Sequence, residues 1–217
     1  MAKPSSSTAL TLVNKIIDLG VEGGAPGMKS SKELADDYLS DHRFGSDDDR
    51  IDSLIRWQVA RCAGTGFTTG LGGLITLPVA LPAGLAAAYI VQARMVGSIA
   101  HIRGYDLQDE RVRTVVLAAI AGDAVVTQTM KEFGGQFAVK TGTAMTNKIP
   151  GKVFIEINKK IGYRLITKSG SKGLVNVTKI VPVLGGVVGG SVDAVATRSV
   201  GAVAKRAFPE DRSTPGV

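Results

Sequence analysis

Residues 62–93 read CAGTGFTTGLGGLITLPVALPAGLAAAYIVQA, with no charge between Arg61 and Arg94. About 20 apolar residues suffice to cross a bilayer, so the run is long enough to do so. Yet glycines fill its first half, and Pro78 and Pro82 cut its middle. No surface loop has this composition. The run is either the buried centre of a helical fold or a membrane-seeking hairpin, and the residues leave both readings open.

The chain of 217 residues is 44% hydrophobic and 5% aromatic, with 27 glycines. That length fits one domain with a sizeable core. With few rings to fill space, such a core relies on Ala, Val, Ile and Leu and on close backbone approach at glycine. The single cysteine, Cys62, has no partner for an internal disulfide and reads as a buried thiol. The first twenty residues hold no apolar core of signal-peptide length, which sets the expectation of a reducing, cytoplasmic compartment.

Net charge is +7 and unevenly placed. Residues 33–52 carry eight acids against Arg43 and Arg50, whereas residues 140–179 carry nine bases against Glu156 alone. A basic region of this kind suits anionic headgroups, nucleic acid or an acidic partner, or is a solvated face balanced by the acidic one. With only Phe154 and Tyr163 interleaved, specific nucleic-acid readout is not expected.

Helix signals dominate the chain. Leu12, Ile16 and Leu19 predict a helix over 8–18 with Gly20 as its stop, and residues 31–39 form a short second one. Ser46 reads as an N-cap, with Asp47, Asp48 and Asp49 in the first turn, where the helix dipole favours acid. That helix continues through Ile51, Leu54, Ile55, Trp57 and Val59. Pro82 opens a long helix that ends at Gly104, and Asp106 reads as the cap of the next, over 107–121. Further helices are predicted over 124–133, 137–146, 153–167 and 184–208, and only residues 175–183 could be read as a strand.

The chain also echoes itself at an offset of 104 residues. Pro78 and Val79 match Pro182 and Val183, and RMVGSIA (94–100) matches RSVGAVA (198–204). The echo suggests two related units, each a proline break followed by a glycine-bearing helix, packed as a central pair. Gly66, Gly70 and Gly73 in the first unit, and Gly185 and Gly189 in the second, recur at three- and four-residue spacing. Glycine costs about 1 kcal/mol in a helix interior, so such clusters imply a return in helix–helix contact.

No motif identifies a reaction. The glycines from Gly64 to Gly70 follow no strand and lack the acidic ribose partner of a dinucleotide fold, and Gly151-Lys152 is not a phosphate loop. His42 and His101 belong to no ligand-spaced pair, so neither metal nor cofactor is expected. Buried charges need partners, which makes Arg94, Asp106, Asp193 and Arg198 a candidate buried network or pocket between the echoed helices.

Four stretches resemble the EcsC family of bacterial proteins: residues 55–82, from IRWQVARCAG to ITLPVALP; residues 90–117, from IVQARMVGSIA to RVRTVVL; INKKIGYRLITKSGSKG (157–173); and residues 181–208, from VPVLGGVVGG to VAKRAF. The resemblance spans about residues 51–208. It implies a bacterial, cytoplasmic accessory protein, since the family is named for a gene beside an ATP-driven transporter. It carries over no catalytic residue.

These readings give an all-α, compact helical bundle: residues 1–45 peripheral, 46–208 the EcsC-like domain, 209–217 a loose tail. The expected function is non-enzymatic association with the inner membrane face or a membrane transporter. The anionic surface would be met by Lys152, Lys159, Lys160, Arg164, Lys168 and Lys172. The alternatives are a small-molecule binder or enzyme with a pocket between the glycine-rich helices, and a soluble partner-binding bundle. Oligomeric state is not legible.

Overall fold

The computed structural model describes residues 5–24, 27–63, 83–133, 150–171 and 185–210, and among them are eight α-helices and no β-strand. α1 (Ser6–Ile16) starts where the Ser5 hydroxyl accepts from the Thr8 amide at 3.1 Å. α2 (Ser31–Leu39) begins with a capping box between Ser30 and Glu33. α3 (Asp47–Ala63) is capped as the sequence predicts, by the Ser46 hydroxyl on the Asp49 amide at 3.1 Å. Trp57 leaves the predicted apolar stripe and is 62% exposed. At 100° per residue it points away from the face that buries Ile51, Leu54, Ile55 and Gln58.

α4 (Ala83–Ile102) ends before Gly104, which takes φ +80°. α5 (Glu110–Ala121) is capped by Asp109, not Asp106. Asp106 instead closes a preceding turn, accepting from the Gln108 amide at 2.9 Å, which delays the helix by three residues. Gly122, at φ +121°, separates α5 from α6 (Asp123–Glu132). α7 (Gly151–Ser171) and α8 (Gly185–Ala207) complete the set. The predicted helix over 137–146 and the ambiguous segment 175–183 lie outside the described residues.

α4 is the axis of the fold. Every residue from 89 to 100 is buried, including Gln92, Arg94 and Ser98. A helix apolar on all sides needs neighbours all round. Here they are α2, α3, α5, α8 and the π-helical turn Ile17–Val21 that follows α1. The segment Leu85–Ile102 is apolar and long enough to cross a membrane, and 83% of it is buried inside the protein. For residues 85–93 the opening alternative is thus answered by burial within the chain's own helices; residues 64–82, with Gly66, Gly70, Gly73, Pro78 and Pro82, lie outside the described part.

Close helix contact does run through glycine, at positions the spacing argument did not single out. Gly20 is no helix stop. It sits in the π turn against α4, where a Cβ would come 2.6 Å from the Ile90 carbonyl oxygen. A Cβ on Gly162 of α7 would lie 2.5 Å from the Ala9 carbonyl oxygen on α1. The echoed glycines behave alike: Gly97 on α4 receives Ser31 of α2, and Gly201 on α8 receives Ile55 of α3. Val96 and Val200, and Ala100 and Ala204, are also buried in both copies. The two helices touch, but α8 packs mainly along α3 and leaves Val195 70% exposed.

Beside Gly97, the Ser98 hydroxyl lies 2.8 Å from the Ser31 carbonyl and 2.9 Å from the Arg94 carbonyl, and the Ser31 hydroxyl donates to the latter at 3.1 Å. This polar clasp replaces apolar packing between α2 and α4. Ser98→Ala should lower stability by about 1 kcal/mol. An unchanged urea midpoint would mean that the clasp contributes nothing.

Candidate functional site: the basic face of α7

α7 is amphipathic by register. Phe154, Ile157, Ile161 and Leu165 form its buried stripe, and Gly162 lets α1 come close. α5 packs on the same side, and the Tyr89 hydroxyl donates to the Leu165 carbonyl at 3.1 Å, tying α7 to α4. Phe133, at the end of α6, meets Phe154 at 5.7 Å between ring centroids. These contacts turn the opposite face outward, with Lys152, Lys160 and Arg164 exposed and Lys159 half-buried.

Two of these bases are engaged by acids. Lys159 Nζ lies 2.7 Å from Glu156 Oε1, and the lysine hydrogen bond holds the Glu156 carboxyl below its usual range. Lys160 Nζ lies 3.4 Å from Glu132 Oε1 on α6. Among the described residues Lys152 and Arg164 have no ion pair, and Ile155, 46% exposed, lies on the side of α7 that carries Lys152 and Lys159. Lys168 lies on α7 but its side chain is outside the described part, as is all of Lys172. Between α6 and α7 a crevice of about 60 Å³ is lined by Gln128, Glu132, Lys160 and Arg164 over Ile157 and Ile161. A wider, open depression of about 550 Å³ lies between α6 and the end of α8, floored by Val126 and Met130 and edged by the Asp123–Arg206 pair (2.9 Å).

The acidic region has a different fate. Each aspartate of the triplet has a structural partner: Asp49 the Ser46 cap, Asp47 the Arg50 guanidinium (3.0 Å), and Asp48 the Arg103 guanidinium (2.6 Å). Asp48 and Asp52 also receive Lys205 of α8, at 3.2 Å and 2.7 Å. Burial pushes the Asp48 carboxyl up, but the hydrogen bond from Lys205 and the nearby Arg103 and Lys205 charges outweigh it, so its pKa is lowered.

A charge network thus joins α4 and α8, built from Arg103 and Lys205. Of the residues proposed for a network from the sequence, Arg94, Asp106 and Arg198 lie in different surroundings. Arg94 is buried on α4, its carbonyl under Ser31 and Ser98. Asp106 is exposed beyond the end of α4, ~12 Å of helix away. Arg198 is exposed on α8, and the Asp193 side chain lies outside the described part. The network was missed because Asp48, Arg103 and Lys205 are far apart in sequence, each looking like an ordinary helix-end charge. Glu132 and Gln128 were missed likewise, since nothing in the sequence shows that α6 lies beside α7.

No curated protein and no solved structure matches the chain. A family model does match, described as the EcsC protein family, over residues 32–210. That span starts at α2 and takes in α4 with its buried run, the α7 face and the Arg103–Lys205 network. The chain belongs to the EcsC protein family.

Proposed function

We propose that this protein is a non-enzymatic accessory protein of the inner membrane face, docking on anionic lipid or a transporter's lipid-facing rim through α7. The observation that supports it most is the outward surface of α7, where Lys152 and Lys159 flank the exposed Ile155 and Lys160 and Arg164 extend the basic surface toward α6. The acids of α2 and α3 do not neutralise it: they are engaged elsewhere, with Arg103, Lys205 and their own turns. A basic face with an apolar residue among its charges supplies both attractions that reversible surface binding uses. Each near-surface lysine or arginine contributes about 1 kcal/mol toward an anionic leaflet.

Co-sedimentation with neutral and anionic vesicles across a salt series tests this. Binding to anionic vesicles alone, weakening as salt rises, is expected. Replacing Lys152, Lys160 and Arg164 together by glutamine should reduce it by about a hundredfold, at about 1 kcal/mol for each charge. Wild-type protein that ignores anionic vesicles at low salt would end this reading.

A further inference from the structure

We infer that the crevice between α6 and α7 is a phosphate-binding subsite, in which the Glu132 carboxylate stands in for the anion until a phosphate ester displaces it. Glu132 Oε1 gathers two donors, Gln128 Nε2 at 3.2 Å and Lys160 Nζ at 3.4 Å. Arg164 lines the same crevice and has no ion pair among the described residues. An amide and an ammonium thus meet on Glu132 and a guanidinium lines the same crevice, where Glu132 is the one acid among the described lining residues, leaving one positive charge in excess. Charge-assisted bonds to a carboxylate settle near 2.7–2.9 Å, so the Lys160 contact is a loose clasp.

Glu132 is also the last residue of α6, where the negative end of the helix disfavours a carboxylate. A tetrahedral oxyanion with three outward oxygens matches this donor set better than the planar carboxylate does. The space suits it too. About 60 Å³ of accessible space is several times the roughly 10–15 Å³ that admits one water, so a phosphoryl group has room to enter. Ile157 and Ile161 beneath are buried, while Gln128, Lys160 and Arg164 are exposed, so an incoming anion reaches the donors directly from solvent.

The subsite deepens the membrane reading and rests on it for the source of the phosphate, a lipid headgroup ending in a phosphate monoester. The same donors would take a free phosphate ester, and the experiment separates the two sources. Full-length wild-type, Glu132→Gln, Glu156→Gln and Arg164→Gln proteins are titrated with phosphatidylcholine vesicles. These contain either phosphatidic acid or phosphatidylglycerol at matched surface charge. Glu156→Gln removes the same charge from the same face without touching the crevice, so it measures bulk electrostatics. Glycerol phosphate is added separately, followed by phosphorus NMR line broadening.

Glu132→Gln is expected to bind phosphatidic acid vesicles about fivefold more tightly than Glu156→Gln does, and Arg164→Gln to lose the preference for phosphatidic acid over phosphatidylglycerol. Equal gains in the two glutamine variants, with no lipid preference in the wild type, would overturn the subsite and leave the membrane reading standing. If no vesicle binds, the membrane reading fails and glycerol phosphate decides alone. Broadening that is stronger with Glu132→Gln than with Glu156→Gln keeps the crevice as a site for free phosphate esters, and its absence in both overturns it.

Discussion

Gly97→Leu should destabilise the protein by about 3 kcal/mol or more, enough to unfold much of it at physiological temperature. A Cβ at this position would already lie 2.9 Å from the Ser31 Cβ and in contact with its hydroxyl. Three further carbons would have to enter the centre of the fold, between α4 and α2, where Ser31 and Ser98 are wholly buried. The intrusion also breaks the hydroxyl bonds to the Arg94 and Ser31 carbonyls, leaving buried polar atoms unsatisfied. Against this stands a gain of about 1 kcal/mol in helix propensity on leaving glycine, too small to compensate. Denaturant unfolding that gives a stability within about 0.5 kcal/mol of wild type, the usual span of neutral surface changes, would show that α2 does not approach α4 at Gly97.

Asp48→Ala is expected to cost about 2 kcal/mol and to flatten the acid limb of the stability profile. The Arg103 side chain is 5% exposed and its 2.6 Å partner is Asp48; Glu210 is farther, at 3.6 Å. Removing the aspartate leaves a buried guanidinium largely uncompensated, which costs about 3–5 kcal/mol for a fully buried pair. Asp48 itself is half-exposed, so water screens part of that loss and the smaller figure applies. The sign of the pH effect follows from the lowered Asp48 pKa. Its contribution is complete above the unfolded aspartate value, about 3.9, and is lost as pH falls through the lower folded value. Wild type should therefore lose stability more steeply than Asp48→Ala below about pH 4. Parallel profiles would mean that the Arg103–Asp48 pair does not persist in solution.

Most helix positions were legible because their signals are local. Ser30, Ser46 and Gly104 fix helix ends through bonds or dihedral angles that involve only neighbouring residues. Asp106 was misread for an equally local reason: two aspartates three apart can each cap, and Asp109 holds the Arg111 amide at 2.7 Å while Asp106 closes a turn. Gly20 shows the limit of such reading. Its spacing suggested a stop, but its role is set by the Ile90 carbonyl seventy residues away in the chain.

The sequence by itself determined the all-helical class, the family and the separation of acidic from basic regions. These follow from periodicity, capping chemistry and composition, which need no partner to act. Only the tertiary structure decided which charges meet. Arg103 rather than Arg94 joins the acids of α3, and Glu132 of α6 rather than any residue of α7 occupies the donors at Lys160. The physical reason is that ion pairing and close packing depend on distance in space, and the helix neighbours that set those distances come from distant parts of the chain.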